Sequence, residues 1–377
     1  MKKITFLIIL IFSSFSFSQS QIEVNGYLQN MQTVWAPKQT DFWVFSNSIT
    51  NRFNFTYYPS SNLTFNLGMR NIFDYGEFVS MVPNYNESAI YDDGILDLTT
   101  EVTSNKSAIL YSNIDRLNLF YSANNFELQI GRQRVNLSIN SVWTPNDIFN
   151  SSSFLNFDYL EKPGSDAIRI QYHLDYASSI QLITKANKAK QLTFAAIYKF
   201  NQWDYDFQTL AGLTVDDYIF GGGWSGDILG AGFTGEATYF NSRNKFNDIF
   251  LSSIGTNYTF SNSLFLMCEF LYNSNGIVGK VNSINNLFNL EYSAKNLSPA
   301  RYSIFTSLQY PITPLFNASA ALILNPSDGS FFVNPSADIS ISQDVYILIS
   351  GQFFLGGNYT EWGEYGQFYY LRIKWNF

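Results

Sequence analysis

The sequence has 377 residues and a formal net charge of −8, with 46% hydrophobic, 18% aromatic and only 14% charged residues. The acidic balance excludes a general nucleic-acid binder, because phosphate contacts need clustered lysine and arginine. The single cysteine, Cys268, excludes an intramolecular disulfide.

The first segment of the chain has the order of an export signal. Basic residues Lys2 and Lys3 precede an apolar run from Ile4 to Phe12, and small residues lead to Ser18. This order is typical of a secretory signal peptide. The run is too short for a membrane-spanning helix, which needs roughly 20 residues. We predict that residues 1–18 are a signal peptide and that residues 19–377 form one mature domain.

The rest of the chain alternates apolar and polar residues in segments of roughly ten residues, with no long apolar run. A transmembrane barrel turns every second side chain to lipid, which explains many aromatic residues beside few charges. We count eighteen segments, near 23–33, 46–57, 62–73, 111–121, 125–133, 165–173, 178–186, 191–200, 203–213, 216–224, 228–240, 249–260, 263–273, 301–310, 315–325, 331–341, 344–355 and 366–377. Sixteen is the alternative count if the glycine-rich stretch Gly221–Gly223 is misread.

The lengths of the connections support this count. In bacterial barrels short periplasmic turns alternate with longer outer loops. Every even-numbered connection is short, and the long ones are all odd-numbered: 74–110, 134–164, 241–248, 274–300 and 356–365. We therefore predict an all-β protein, a transmembrane antiparallel β-barrel with long outer loops and short periplasmic turns.

The C-terminal segment "GQFYYLRIKWNF" alternates and ends on an aromatic residue, Phe377. It resembles the final strand of outer-membrane β-barrels, which is the recognition signal for the insertion machinery. The resemblance implies an integral protein of a Gram-negative outer membrane. Its partners would be the surrounding lipid and the barrel-assembly machinery, through the strand ending at Phe377. Other outer-membrane proteins, or further copies of this chain in a homo-oligomer, stay open as partners.

Alternation also assigns charged side chains to the lumen. An arginine facing lipid costs about 2–4 kcal/mol at the bilayer midplane, which favours the inward phase. The predicted pore-lining residues are Arg52, Arg70, Arg116, Glu127, Arg169, Arg372 and Lys374. Because the last strand of a closed barrel pairs with the first, the basic residues gather on one wall. This wall either selects solutes by charge or pairs with carboxylates and only maintains the barrel; Glu236 and Glu269 are further acidic candidates for the lumen.

The connection 134–164 is long and rich in aromatic residues. A loop so apolar should fold against the protein, and long ordered loops are usually functional. We predict a constriction loop that lines or partly plugs the pore; a cap over the outer loops is the alternative. Its candidate residues are Arg132, Arg134, Trp143, Pro145, Asp147 and Phe149. The two arginines are expected at the membrane rim, where Asp147, Asp158 or Glu161 would anchor them.

The stretch "GRQRVNLSINSVWTPNDIFN", followed by "FDYLEKPGSDAIRIQYH", carries a resemblance across residues 126–173. It is similar to a block of alginate-export-like and related porin-type barrels of Gram-negative bacteria. The matching positions are Gly131, Arg132, Gln133, Trp143, Pro145, Asp147, Pro163, Gly164 and Arg169; Leu137-Ser138 stands where family members often have Trp-Gly. The resemblance implies an outer-membrane channel and names no cargo.

Candidates for other chemistry are few. The only histidine, His173, is expected in the lumen near the periplasmic end, without the partners of a catalytic base. The sequence offers no histidine or cysteine cluster for zinc. The acidic stretch Asp92-Asp93-Gly94 is more typical of a solvated face than of a Ca²⁺ site. We predict no cofactor, no metal and no enzymatic activity.

Together these patterns predict a porin-like channel for passive diffusion of small hydrophilic solutes, with a mild preference for anions. The alternative is a non-conducting barrel that serves as a subunit of a larger outer-membrane complex. An outer-membrane enzyme is a minor alternative.

Overall fold

The computed structural model describes residues 21–38, 41–157, 159, 161–244, 246–281 and 292–377. The predicted signal peptide, residues 1–18, lies outside the described residues. Within these residues there are two short helices, α1 (Glu77–Met81) and α2 (Tyr85–Ala89). The strands are β1 (Ile22–Ala36), β2 (Val44–Ser60), β3 (Leu63–Gly76), β4 (Thr99–Asn105), β5 (Ala108–Ala123), β6 (Phe126–Gln133), β7 (Ser165–His173), β8 (Ser179–Ala186), β9 (Leu192–Gln202), β10 (Tyr205–Leu213), β11 (Asp217–Ile228), β12 (Ala231–Ser242), β13 (Ile249–Thr259), β14 (Phe265–Asn273), β15 (Tyr302–Thr313), β16 (Phe316–Leu324), β17 (Phe331–Ser342), β18 (Val345–Leu355) and β19 (Gln367–Asn376).

The strands close into an antiparallel barrel. Strands that follow each other in the chain pair with each other, except that β3 pairs with β5. Strand β1 pairs with β19 from Tyr27 opposite Asn376 to Ala36 opposite Gln367. Eighteen of the strands form the closed wall and correspond one to one with the predicted segments. The predicted fold class is confirmed, and the glycine-rich stretch belongs to the continuous strand β11.

The extra strand, β4, fills a gap in the wall. Strand β6 ends at Gln133, and its pairing with β5 stops where Arg132 lies opposite Leu117. Above that level β4 takes over the same edge of β5, with Thr99 opposite Asn113. Because the chain leaves the wall after β6 to enter loop 134–164, the outer loop 74–110 supplies the missing strand. In the described part of the chain, no helix has the length and apolar character to cross a membrane.

The pleat separates a lipid face from a lumen face, as the alternation predicts. On β7, Ile168, Ile170 and Tyr172 are exposed, while the alternate residues Ala167 and Gln171 are buried. The exposed row continues around the barrel as aliphatic and aromatic side chains, including those of β19. The outer surface is therefore apolar at mid-height, as lipid requires.

A β-bulge interrupts this alternation on β5. The pairing with β3 shifts between Gly68, opposite Arg116, and Met69, opposite Ile114. The extra residue is Asp115, whose exposure is only 2%. A bulge re-aims a side chain, so Asp115 joins its neighbour Arg116 on the lumen side. Strict alternation would have placed a carboxylate against lipid here.

Candidate functional site

Loop 134–164 lies inside the barrel, and Glu236 of β12 holds its first half. Oε1 of Glu236 accepts hydrogen bonds from the backbone N–H groups of Ile139 (3.3 Å) and Asn140 (3.0 Å). Its Oε2 accepts one from the N–H of Asn146 at 3.2 Å. Successive N–H groups turned to one side form a concave anion site. The buried carboxylate therefore fixes the loop backbone at mid-barrel.

A second carboxylate, Glu269 of β14, holds the next residues of the loop. Its oxygens accept hydrogen bonds from the N–H groups of Ser141 (2.9 Å), Val142 (3.1 and 3.2 Å) and Trp143 (3.2 Å). Both glutamates face the lumen and are almost fully buried. The two acidic lumen candidates thus bind the loop rather than the opposite basic wall.

Glycines of β11 make room for this contact. A side-chain carbon on Gly223 would lie 2.6 Å from Cδ1 of Ile139, and one on Gly221 would lie 2.6 Å from Oδ1 of Asn146. Asn146 also donates through Nδ2 to the carbonyl of Gly222 at 3.1 Å. The glycine-rich stretch of β11 therefore allows the loop to approach the wall closely.

Apolar side chains of the loop fill one side of the lumen. Trp143 and Phe154 pack edge-on against Phe305 of β15, with ring centroids 6.4 and 4.9 Å apart. Trp143 and Phe149 are both 4% exposed and belong to a hydrophobic cluster with inward-facing residues of β7 to β18. The candidates Trp143, Pro145 and Phe149 are therefore buried where the loop meets this wall.

The end of the loop crosses to the basic wall. Phe157 packs at 88° on Tyr370 of β19 with centroids 5.0 Å apart. The hydroxyl of Tyr159 donates to Asp115, and its ring lies under the guanidinium of Arg70 at 3.8 Å. Glu161 accepts a hydrogen bond from the hydroxyl of Tyr27 at 3.2 Å. Phe157 and Tyr159 were not among the sequence-based candidates, and Glu161 was expected only as a partner of Arg132 or Arg134. Tyr159 and Glu161 instead approach the predicted pore-lining residues Arg70 and Arg52.

The arginines of this wall differ in their partners. Arg52 is 2% exposed and forms a two-point ion pair with Asp115 through contacts of 2.7 and 3.1 Å. Arg116 donates to the backbone carbonyls of Glu161 and Lys162, at the end of the loop. Arg70, 9% exposed, stacks on Tyr159 and has an Nε without a hydrogen-bond partner.

The remaining pore-lining candidates lie lower in the barrel. Arg169 donates to the side chain of Gln171 at 2.7 Å. Glu127 contacts His173 at 3.1 Å, near the periplasmic turns. On β19, Arg372 lies 4.0 Å from Asp338, and Lys374 lies over the ring of Tyr27 at 4.1 Å. Arg372 and Lys374 thus lie where β19 meets β1, whereas Arg169 lies on β7.

Arg132 has partners that the sequence did not indicate. It binds Asp92 at 2.6 Å and Asp166 at 2.7 Å, so it joins the outer loop 74–110 to β7. It is not paired with Asp147 or Glu161; Asp158 lies outside the described residues. Arg134 has a buried Nε without a partner. Asp92 itself is buried, and its contact with Arg132 lowers its pKa against the effect of burial, so its assignment to a solvated face is wrong.

A cavity of about 480 Å³ lies above the crossing of the loop, on the basic wall. One side is aromatic, with Trp35, Phe368 and Tyr370; Trp35 and Phe368 stack at 5.6 Å. Arg70 and Asp74 contribute to the other side. This volume is in the range of small-molecule sites.

Asp147 makes the stability of the loop's position inside the barrel depend on pH. Burial raises the pKa of Asp147 to about 6, against the backbone hydrogen bonds and the charge of Arg134, which lower it. The carboxyl therefore binds a proton more tightly in the seated loop than in a released one. Between about pH 4 and pH 6 the seated loop loses stability as pH rises, and the loss is complete above about pH 6.

Asp147→Asn is accordingly expected to stabilise the seated loop by up to about 3 kcal/mol near pH 7, and far less near pH 4. Hydrogen exchange of the loop amides at both pH values measures this. An equal change in protection at the two pH values would contradict the assignment to Asp147.

Comparison with known proteins defines the fold. No protein-family model matches the chain, and no curated protein sequence matches it significantly. The crystal structure of OccAB3 of Acinetobacter baumannii is similar at 11% identity and a TM-score of 0.59, covering 94% of this chain and 99% of that one. OprD of Pseudomonas aeruginosa is similar at 8% identity and a TM-score of 0.57, covering 94% and 95%. The narrower resemblance to the alginate-export-like family finds no support. The chain has the eighteen-stranded barrel fold of these porin structures.

Proposed function

We propose that the protein is an integral channel of a Gram-negative outer membrane, through which small hydrophilic solutes diffuse passively with a mild preference for anions. Residues 1–18 are the export signal in this proposal, and residues 19–377 form the barrel. Lipid surrounds the wall, and the strand ending at Phe377 is the segment for the barrel-assembly machinery.

One observation carries the proposal: the loop fills the lumen unevenly. Its apolar residues pack on the side formed by β7 to β18. Only its end, at Phe157, Tyr159 and Glu161, reaches the basic wall. Solutes would pass along that wall, narrowed at the crossing, and the outer cavity beside Arg70 is the entrance.

The charges of the wall support a preference for anions. Arg52 is neutralised by Asp115, and Arg116 is engaged by the loop carbonyls. Neither Arg70 nor Arg169 forms an ion pair with a carboxylate among the described residues. A positive potential between low-dielectric walls raises the local concentration of anions. In this proposal Arg52 and Arg116 have a structural role, and Arg70 and Arg169 select solutes by charge.

The test is single-channel recording of the purified protein in a planar bilayer with a salt gradient. The reversal potential should indicate anion preference. Arg70→Gln combined with Arg169→Gln should lower the anion-to-cation permeability ratio by about two- to fivefold, a change of less than about 1 kcal/mol. Arg243→Gln is the matched control, because Arg243 is exposed in an outer loop.

The outcomes separate the candidate functions. An unchanged reversal potential in the double variant would restrict these arginines to a structural role. Complete absence of conductance, before and after removal of loop residues 140–156, would refute the channel. The non-conducting subunit of a membrane complex would then take its place.

A further inference from the structure

A second cavity, of about 270 Å³, lies on the opposite side of the outer mouth. It is enclosed by three connections: loop 134–164, the segment that follows Tyr292, and the connection between β18 and β19. Aromatic rings dominate its walls, with Trp143, Phe154, Tyr292, Trp362 and Tyr365. The cavity has none of the arginines of the basic wall among its lining residues and shares only Leu155 with the cavity beside Arg70.

One carboxyl group lines this aromatic cavity. Glu361 is 4% exposed, and its Oε1 accepts a hydrogen bond from the hydroxyl of Ser298 at 3.1 Å. Its other oxygen, Oε2, has no hydrogen-bond partner. Buried carboxylate oxygens are normally satisfied, and an exception calls for an explanation. A missing ligand is one such explanation.

The surroundings of Glu361 lack a compensating charge. Its own N–H donates to Asp328 at 2.7 Å, which brings a second carboxylate close. Burial, together with the charge of Asp328, raises the pKa of Glu361 to about 8. No lysine, arginine or histidine in the described part of the chain forms an ion pair with Glu361. Without a nearby cation the group is therefore held mainly as a neutral acid near pH 7, and a cation facing Oε2 would favour its charged form.

We propose that this cavity binds a small organic ammonium ion with an apolar body. The ammonium group would occupy the position facing Oε2 of Glu361, and the apolar body would fill the space between the rings. Cations are attracted to the faces of aromatic rings, most strongly to tryptophan, and more so when desolvated. Three observations favour this ligand class: Oε2 of Glu361 has no hydrogen-bond partner, aromatic rings line the cavity, and no basic side chain among the described residues forms an ion pair with Glu361.

Binding at this site can be measured without recording conductance. Its walls include Trp143 and Phe154 of the loop, so an occupied cavity would also hold the loop to the outer connections. Binding is therefore measured directly, by titration calorimetry on the intact protein purified in detergent. Failure of binding and failure of the channel are then distinguishable, because each has its own readout.

The probes are 2-phenylethylamine, its neutral analogue 2-phenylethanol, and the anion phenylacetate. We expect the ammonium probe to bind at least about tenfold more tightly than the alcohol, a difference within the range of a desolvated cation–π contact with a carboxylate. The anion should not bind. Equal binding of amine and alcohol, or no binding of the amine at millimolar concentration, would overturn the proposal.

Two variants locate the site. Glu361→Gln removes the charge and should abolish the advantage of the amine over the alcohol. Trp362→Phe keeps an aromatic ring, though a smaller one that attracts cations less strongly, and should weaken amine binding more than alcohol binding. Glu101→Gln, at an exposed position of β4, is the control and should bind the amine as the unaltered protein does. Unaltered amine binding in both site variants would place the ligand elsewhere and reject this cavity.

Discussion

Replacing Glu236 and Glu269 together by glutamine is expected to release loop 134–164 and to raise the single-channel conductance several-fold. The two carboxylates accept hydrogen bonds from six backbone N–H groups, those of Ile139, Asn140, Asn146, Ser141, Val142 and Trp143. Hydrogen bonds to a charged group contribute roughly 1.5–3 kcal/mol each. A glutamine keeps one acceptor oxygen but presents an NH₂ group to donors.

The conductance measurement has a matched control and a stronger variant. Glu87→Gln changes an exposed carboxylate of α2 and should leave the conductance unaltered. Deleting residues 140–156 removes the apolar contacts as well and should give the full conductance of the emptied lumen. If the double glutamine variant conducts like the unaltered protein while the deletion conducts more, the aromatic packing alone holds the loop.

Asp115→Ala is expected to lower the stability of the folded protein more than any other single substitution on the basic wall. Asp115 pairs with Arg52 at 2.7 Å and accepts the hydroxyl of Tyr159, and both charged side chains are almost fully buried. Removing one partner of a buried pair typically costs about 3–5 kcal/mol, because the other charge is left uncompensated. Glu161, 3.7 Å from Arg52, offsets part of that loss.

A double-mutant cycle measures the energy of the Arg52–Asp115 ion pair apart from other effects of the two substitutions on barrel stability. Arg52→Met alone should also destabilise, whereas Arg52→Met with Asp115→Ala should recover much of the loss, since no buried charge is left unpaired. Thermal unfolding in detergent and protection of Tyr159 from hydrogen exchange measure the cycle. Additive losses in the double variant would contradict a direct pair.

Patterns within each strand were sufficient to predict the wall of the barrel. Side chains alternate between the two faces of a strand, and turning the polar set to lipid is costly. The residues of each strand therefore indicate which of its side chains face the lumen. Arg52 and Arg70 are buried on the lumen side, as alternation requires. The odd and even connection lengths supplied the direction of each strand. These are local signals, and neighbouring strands reinforce them.

Contacts between residues far apart in the sequence could not be predicted from such local patterns. The sequence singled out Trp143, Pro145 and Asp147 as constriction residues, but the loop meets the basic wall through Phe157, Tyr159 and Glu161. Nothing in the spacing of these residues signals which wall each one reaches. The aromatic content of residues 154–160 was the available hint, since apolar side chains on both halves of a loop must bury against two surfaces.

The sequence by itself determined the class of fold, the number of strands in the closed wall and, apart from Asp115, which charged side chains face away from lipid. It could do so because lipid contact on one face imposes an alternating pattern on every strand of the wall. The tertiary structure alone decided how the lumen is filled. The bulge at Asp115, the substitution of β4 for the upper part of β6 and the capture of the loop by Glu236 and Glu269 each join residues far apart in the chain. Such contacts depend on three-dimensional shape and charge pairing, which leave no periodic trace in the sequence.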